Sequence, residues 1–184
     1  MQVANRISSI GDAPVRTENV EKLKSQIREH QLKLLQLSDE EMQKALEPGL
    51  WSGKEILGHL SDSAALNRQR IVRSQYEELY EFPFYDQAQW VQIQAYNHYA
   101  WADLVSLCIA EYQHLIHILE NLPDESASDK CPIKFSSNNY VTLDWLVGHI
   151  VRHTDHHLHQ IYWLVGKSAL PDDRELYQPL EELP

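Results

Sequence analysis

Cysteine is scarce. Cys108 and Cys131 are the two in 184 residues, which rules out a disulfide framework and points to a reducing cytoplasm. The N-terminus lacks the basic, apolar and small-residue succession of a secretory signal. No uninterrupted apolar run is long enough to span a bilayer, so the chain is expected to be soluble. Positive charge is also short, with 16 basic against 27 acidic residues and a net charge of −11. Small basic groups such as Arg68 and Arg70 occur, but the balance repels nucleic acid and anionic membranes, and both are excluded as partners. Internal repeats, low-complexity tracts and sustained heptads are absent as well.

Apolar residues make up 43% of the chain, enough for a real core in one domain. Histidine is the unusual presence. Five of the ten lie between His149 and His159.

The hydrophobic pattern is helical almost throughout. Residues 1–17, with Gly11 and Pro14, read as an N-terminal arm, and 18–184 as a single domain. Val20, Leu23, Ile27, Leu34 and Leu35 mark an amphipathic helix over 18–37. Ser38 before Asp39, Glu40 and Glu41 caps a short helical turn that ends at Pro48–Gly49. Ser52 and Glu55 form a capping box, with Trp51 and Ile56 as its hydrophobic staple. The helix they start runs to about Gln75 on a stripe of Ile56, Leu57, Leu60, Ala64 and Ile71.

A linker around Phe82, Pro83 and Phe84 leads to a short helix from Asp86 to about Gln94. A long helix follows, with Trp101, Leu104, Val105, Cys108, Tyr112, Leu115, Ile116 and Leu119 at helical steps, and it stops before Pro123. Residues 123–141 read as a long loop with one extended piece at 133–135. Thr142 caps the last helix, which Gly166 ends. The fold class is therefore all-α, a four-helix bundle with short extra helices and one long loop before the last helix.

On a wheel of about 100° per residue, the last helix has a core stripe of Leu143, Val147, Ile150, Thr154, Leu158, Ile161 and Val165. His153 and His157 flank it on one side, and Gln160 extends that edge. Arg152 and His159 point to solvent, and His149 and His156 take intermediate directions. Histidines spaced i, i+4 place two imidazoles on one face, close enough to share an ion. One helix face cannot surround a metal, and His59, beside the apolar stripe of the capped second helix, is the natural third ligand. Three imidazoles suit a divalent transition metal (zinc, nickel, copper or iron) and leave coordination positions open, as catalytic sites do. His30, His98, His114 and His117 are scattered and read as structural or surface residues, Cys108 as packing, and Trp101, Trp145 and Trp163 as core. Tyr96, Asn97 and Tyr99 fit either a pocket wall or a helix–helix connection.

Two stretches carry a family resemblance. P-G-L-W-S-G-K-E-I-L-G-H-L-S-D-S, from Pro48 to Ser63, and H-T-D-H-H-L-H-Q-I, from His153 to Ile161, resemble the second-helix and last-helix motifs of the DinB/YfiT-like superfamily. The resemblance spans about Glu18 to Gly166. It implies a four-helix bundle with a metal on His59, His153 and His157, in agreement with the wheel. Many members have an acidic residue directly after the first histidine of the last motif, where this chain has Thr154 and then Asp155. Asp155 points away from the site, which leaves Asp62 or Gln160 to orient a ligand imidazole.

The resemblance implies a metal-dependent S-transferase that joins a low-molecular-weight thiol of the bacillithiol type to an electrophile. The metal lowers the pKa of the thiol, and the thiolate attacks the electrophilic carbon. One alternative is a metal-dependent hydrolase, in which the open site generates hydroxide from water with Asp62 as the candidate base. The other is a non-catalytic metal- or ligand-binding bundle. Homodimerisation is expected from the resemblance alone.

Overall fold

The computed structural model describes residues 16–76, 85–122, 133–134 and 140–166. The first fifteen residues of the N-terminal arm, the linker at Phe82–Phe84, Cys131, most of the loop before the last helix and the tail after Gly166 lie outside them.

Among the described residues, six α-helices follow in order: α1 (Arg16–Leu35), α2 (Asp39–Gln43), α3 (Gly53–Ser74), α4 (Gln87–Gln94), α5 (Trp101–Asn121) and α6 (Leu143–Leu164). A 3-10 turn at Tyr96–His98 joins α4 to α5. The single extended piece expected near 133–135 is instead one arm of a small hairpin. β1 (Ile133–Lys134) pairs antiparallel with β2 (Tyr140–Val141), with Ile133 opposite Val141.

Local chemistry fixes the helix starts. Ser38 and Glu41 close a capping box on α2, and Ser52 and Glu55 close another on α3. A cap of this kind stabilises a helix end by ~1 kcal/mol. Thr142 accepts from the Trp145 N–H at 3.2 Å at the head of α6. No side chain of its own caps α5. Its Trp101 N–H donates instead to Asp39 Oδ1 at 2.8 Å, and Asp39 also pairs with the buried Lys54 at 2.8 Å. Gly166 takes φ 68°, the left-handed turn that ends a helix.

The long helices α1, α3, α5 and α6 form the bundle. α3 packs against α5 and α6, and α1 packs against the same two. The long helices consecutive in sequence, α1 with α3 and α5 with α6, therefore sit at opposite corners. Tyr112 reaches across the α5–α6 diagonal, where its hydroxyl lies 2.9 Å from Thr154 Oγ1.

The expected stripes of α3 and α5 are buried, including Cys108. On α1, Leu35 is exposed, while Asn19 and His30 are buried with the apolar stripe. No helix among the described residues is long and apolar enough to cross a membrane.

Candidate metal centre

Packing of α6 against both α1 and α3 buries a wider arc than one stripe. Leu146, Val151, His156 and Tyr162 join the expected core, whereas Val165, at the C-cap, is only partly buried. His159 is half-exposed rather than fully solvated, and Arg152 is exposed. Trp145 and Trp163 lie at the rim and not in the core. Trp145 stacks flat on His149, with ring centroids 5.3 Å apart and planes at 4°.

The α3–α6 interface brings His59, His153 and His157 together. Their ring centroids lie 5.1 Å (59 to 153), 4.9 Å (59 to 157) and 4.5 Å (153 to 157) apart. One ring nitrogen from each lies within 4.8 Å of the other two, and the Nε2 atoms of His59 and His153 are 3.2 Å apart. A tetrahedral ion with metal–nitrogen distances of ~2.0–2.1 Å spaces its donors ~3.3 Å apart. The cluster is therefore close to the size of a bound cation. It contains no carboxylate or thiol.

Burial sets the protonation of these rings. It pushes His59 down to about 4 and His157 to about 3, and holds His153 well below the ordinary value of 6.5, where the neighbouring histidines lower it further. All three are neutral imidazoles at neutral pH, the form that donates a lone pair to a metal. His157 Nδ1 lies 2.8 Å from Gln160 Oε1. An amide oxygen only accepts, so the proton sits on Nδ1 and the lone pair on Nε2. His59 Nδ1 is buried and has no hydrogen-bond partner among the described residues. The donor set thus fits a divalent transition metal: three neutral nitrogens on two rigid helices, with one tautomer already fixed.

Gln160 thus bonds a ring of the cluster. Asp62 is engaged elsewhere. Its carboxylate accepts from Gln94 Nε2 at 2.9 Å and from the Tyr96 hydroxyl at 2.8 Å, and burial raises its pKa. Asp155 bonds Gln26 on α1 at 3.1 Å, away from the cluster as the wheel indicates. His149 and His156 flank the site without joining its donor group.

Trp51 is the residue that the sequence undervalued. Beyond its place in the staple, its indole lies against the His59 ring, with centroids 5.2 Å apart. Tyr96 and Asn97 line a pocket beside it, whereas Tyr99 is exposed. A conspicuous tryptophan before the N-cap was the available signal.

Comparison with known proteins agrees with this architecture. The family model of the DinB superfamily matches residues 25–161. No curated protein sequence matches the chain. Among solved structures, the fold is similar to YfiT from Bacillus subtilis, described as a probable metal-dependent hydrolase with an unusual four-helix bundle topology. That match has a TM-score of 0.73 and 19% sequence identity, and covers 89% of this chain and 92% of YfiT.

Proposed function

The chain belongs to the DinB superfamily, and from that premise we propose that it is a metal-dependent S-transferase that joins a small-molecule thiol to an electrophile. The supporting observation is the convergence of three neutral imidazoles, with ring nitrogens within 4.8 Å, and no carboxylate among them. His59, His153 and His157 would hold the metal, and nitrogen donors of this kind suit zinc, nickel or iron. Bound there, a divalent ion acts as a Lewis acid that makes a thiol more acidic at neutral pH.

The chain's own residues prepare for this. Gln160 holds the proton of His157 on Nδ1 and keeps Nε2 free to donate. The Trp51 indole lies against the His59 ring. Thr154, between the two α6 histidines, keeps its hydroxyl in the core on Tyr112 and the Ile150 carbonyl, at 2.9 and 2.7 Å. In the transfer the thiol gives its proton to solvent, a carbon–sulfur bond forms, and the leaving group takes the electron pair of the broken bond. The nucleophile comes from the co-substrate, so no protein base is required. The Asp62 carboxylate is engaged by Gln94 and Tyr96.

The second reading, metal-dependent hydrolysis, is favoured by the fold's similarity to YfiT. The two separate in one assay. Metal-loaded protein is incubated with an electrophile such as monochlorobimane, with and without a low-molecular-weight thiol, and with p-nitrophenyl acetate. Transferase activity gives enzyme-dependent conjugate only when thiol is present. Ester cleavage without thiol, and no conjugate, supports the hydrolase instead. Neither activity across a broad panel points to a non-catalytic metal- or ligand-binding bundle.

A further inference from the structure

A cavity of about 370 Å³ is lined by Trp51 and Glu55 together with residues of the short helix α4 and the 3-10 turn. Its origin is visible in the packing. α4 buries only Val91. The segment is instead held at its C-terminal end. The Tyr96 ring sits directly on Gly58, where an added Cβ would come within 2.1 Å of Tyr96 Cδ2. The Tyr96 hydroxyl donates to Asp62 at 2.8 Å, and Asn97 Oδ1 accepts from Ser52 Oγ at 2.6 Å. Between these anchors and α4, Ala95 adopts φ 53°, a left-handed conformation that costs a non-glycine residue ~1 kcal/mol or more. Residues of α4 and of this turn form one wall of the cavity.

The lining has a definite chemistry. Trp51, Ala88, Val91, Ala95 and Tyr96 supply apolar and aromatic surface. Glu55 is the carboxylate of the lining, Gln92, Asn97 and His98 complete its polar side, and no lysine or arginine lines the cavity. Glu55 Oε2 accepts from the Ser52 N–H at 2.8 Å, and no lysine or arginine pairs with it among the described residues. An anion is therefore repelled, while a neutral or cationic molecule is accepted. The volume is at the small end for organic-ligand pockets, the scale of a single substituted ring. An indole wall favours a flat body, and a cation gains further from its face.

The location ties this pocket to the cluster. The indole that lines it is the one 5.2 Å from the His59 ring. We propose that this pocket binds the organic body of the substrate, an uncharged or amine-bearing molecule with a flat apolar ring, beside the metal centre. Its role as substrate pocket rests on the metal-dependent reading above, while binding itself is measured independently of activity.

The test is a titration of the full chain, followed by proton–nitrogen NMR, with 2-phenylethylamine and 3-phenylpropanoate. The two probes are similar in size and opposite in charge. The amine is expected to shift the Trp51 indole N–H and the Val91, Ala95 and Asn97 amides, and to bind at least tenfold more tightly than the carboxylate. Ala88→Phe, which fills the cavity from its rim, should abolish these shifts while metal content stays at the wild-type level. With cobalt loaded at the histidines, the protons of the bound amine should relax faster. Zinc binding without these shifts overturns the pocket and leaves the metal centre standing. Equal affinity for the two probes, or binding retained in Ala88→Phe, also overturns it. Shifts in a protein that takes up no zinc overturn the metal reading, and with it the pocket's role as substrate site.

Discussion

Histidines meet at two interfaces of helix α6, one with α1 and one with α3, and the two faces treat them differently. Toward α1, each ring is tied to a partner of its own. His30 Nδ1 lies 2.9 Å from the Tyr162 hydroxyl, and His159 Nδ1 lies 2.9 Å from the Asp155 carbonyl oxygen. The Asp155 carboxylate is also near His159 at 3.5 Å and accepts from Gln26 at 3.1 Å. Toward α3, the rings of His59, His153 and His157 aim nitrogens at one another within 4.8 Å. The first arrangement satisfies polar groups pairwise and contributes to stability. The second concentrates lone pairs, which is unfavourable without something to share them and is what a cation requires. Histidine count and burial do not separate the faces; the direction of the nitrogens does.

The largest expected difference is in metal affinity. His157→Ala should weaken zinc binding by at least ~100-fold, beyond the range for loss of an orienting partner, whereas His159→Ala should leave it unchanged. Competition with a chromogenic chelator measures both. Equal losses would erase the contrast between the faces. Gln160→Ala comes next. It removes the acceptor that fixes the His157 tautomer, and should cost ~10–100-fold in zinc affinity with little change in melting temperature.

Acid should act mainly through the α3-facing cluster. His59 and His157 are pushed to about 4 and about 3, and the adjoining His149 to about 4, from an ordinary 6.5. The unfolded chain therefore binds protons first as pH falls. Their contribution to the stability of the metal-free protein is full above pH 6.5 and is lost as pH falls toward 4 and then 3. Zinc competes with those protons, so saturating zinc should move the loss to lower pH. Melting curves across this range, with and without zinc, check the sign. A melting temperature that rises on acidification would contradict it. The smallest effect belongs to the α1 face. Tyr162→Phe leaves His30 Nδ1 without its hydroxyl partner and should cost ~1–2 kcal/mol in urea unfolding, with zinc affinity untouched.

The features legible in the sequence are local in origin. His153 and His157 follow from helical periodicity, Gln160 from the same edge, and His59 from the register of the Ser52–Glu55 capping box. The helices of the bundle follow for the same reason, with starts shifted by a residue or two. What was not legible depends on packing between distant segments. Asp62 lies on the motif beside His59, yet its carboxylate is taken by Gln94 and Tyr96 from the segment folded over α3. His156 is buried because α6 meets two neighbours, and a one-stripe wheel has room for one. The pocket beside Trp51 depends on a left-handed alanine that no periodicity encodes.

Elemental analysis of the purified full chain tests the central claim most directly. The account predicts close to one divalent transition metal per chain in the wild-type protein, and near none in a folded His153→Ala/His157→Ala variant. Full metal occupancy in that variant, or a wild-type protein that takes up no zinc, nickel or iron when these are supplied, would contradict it.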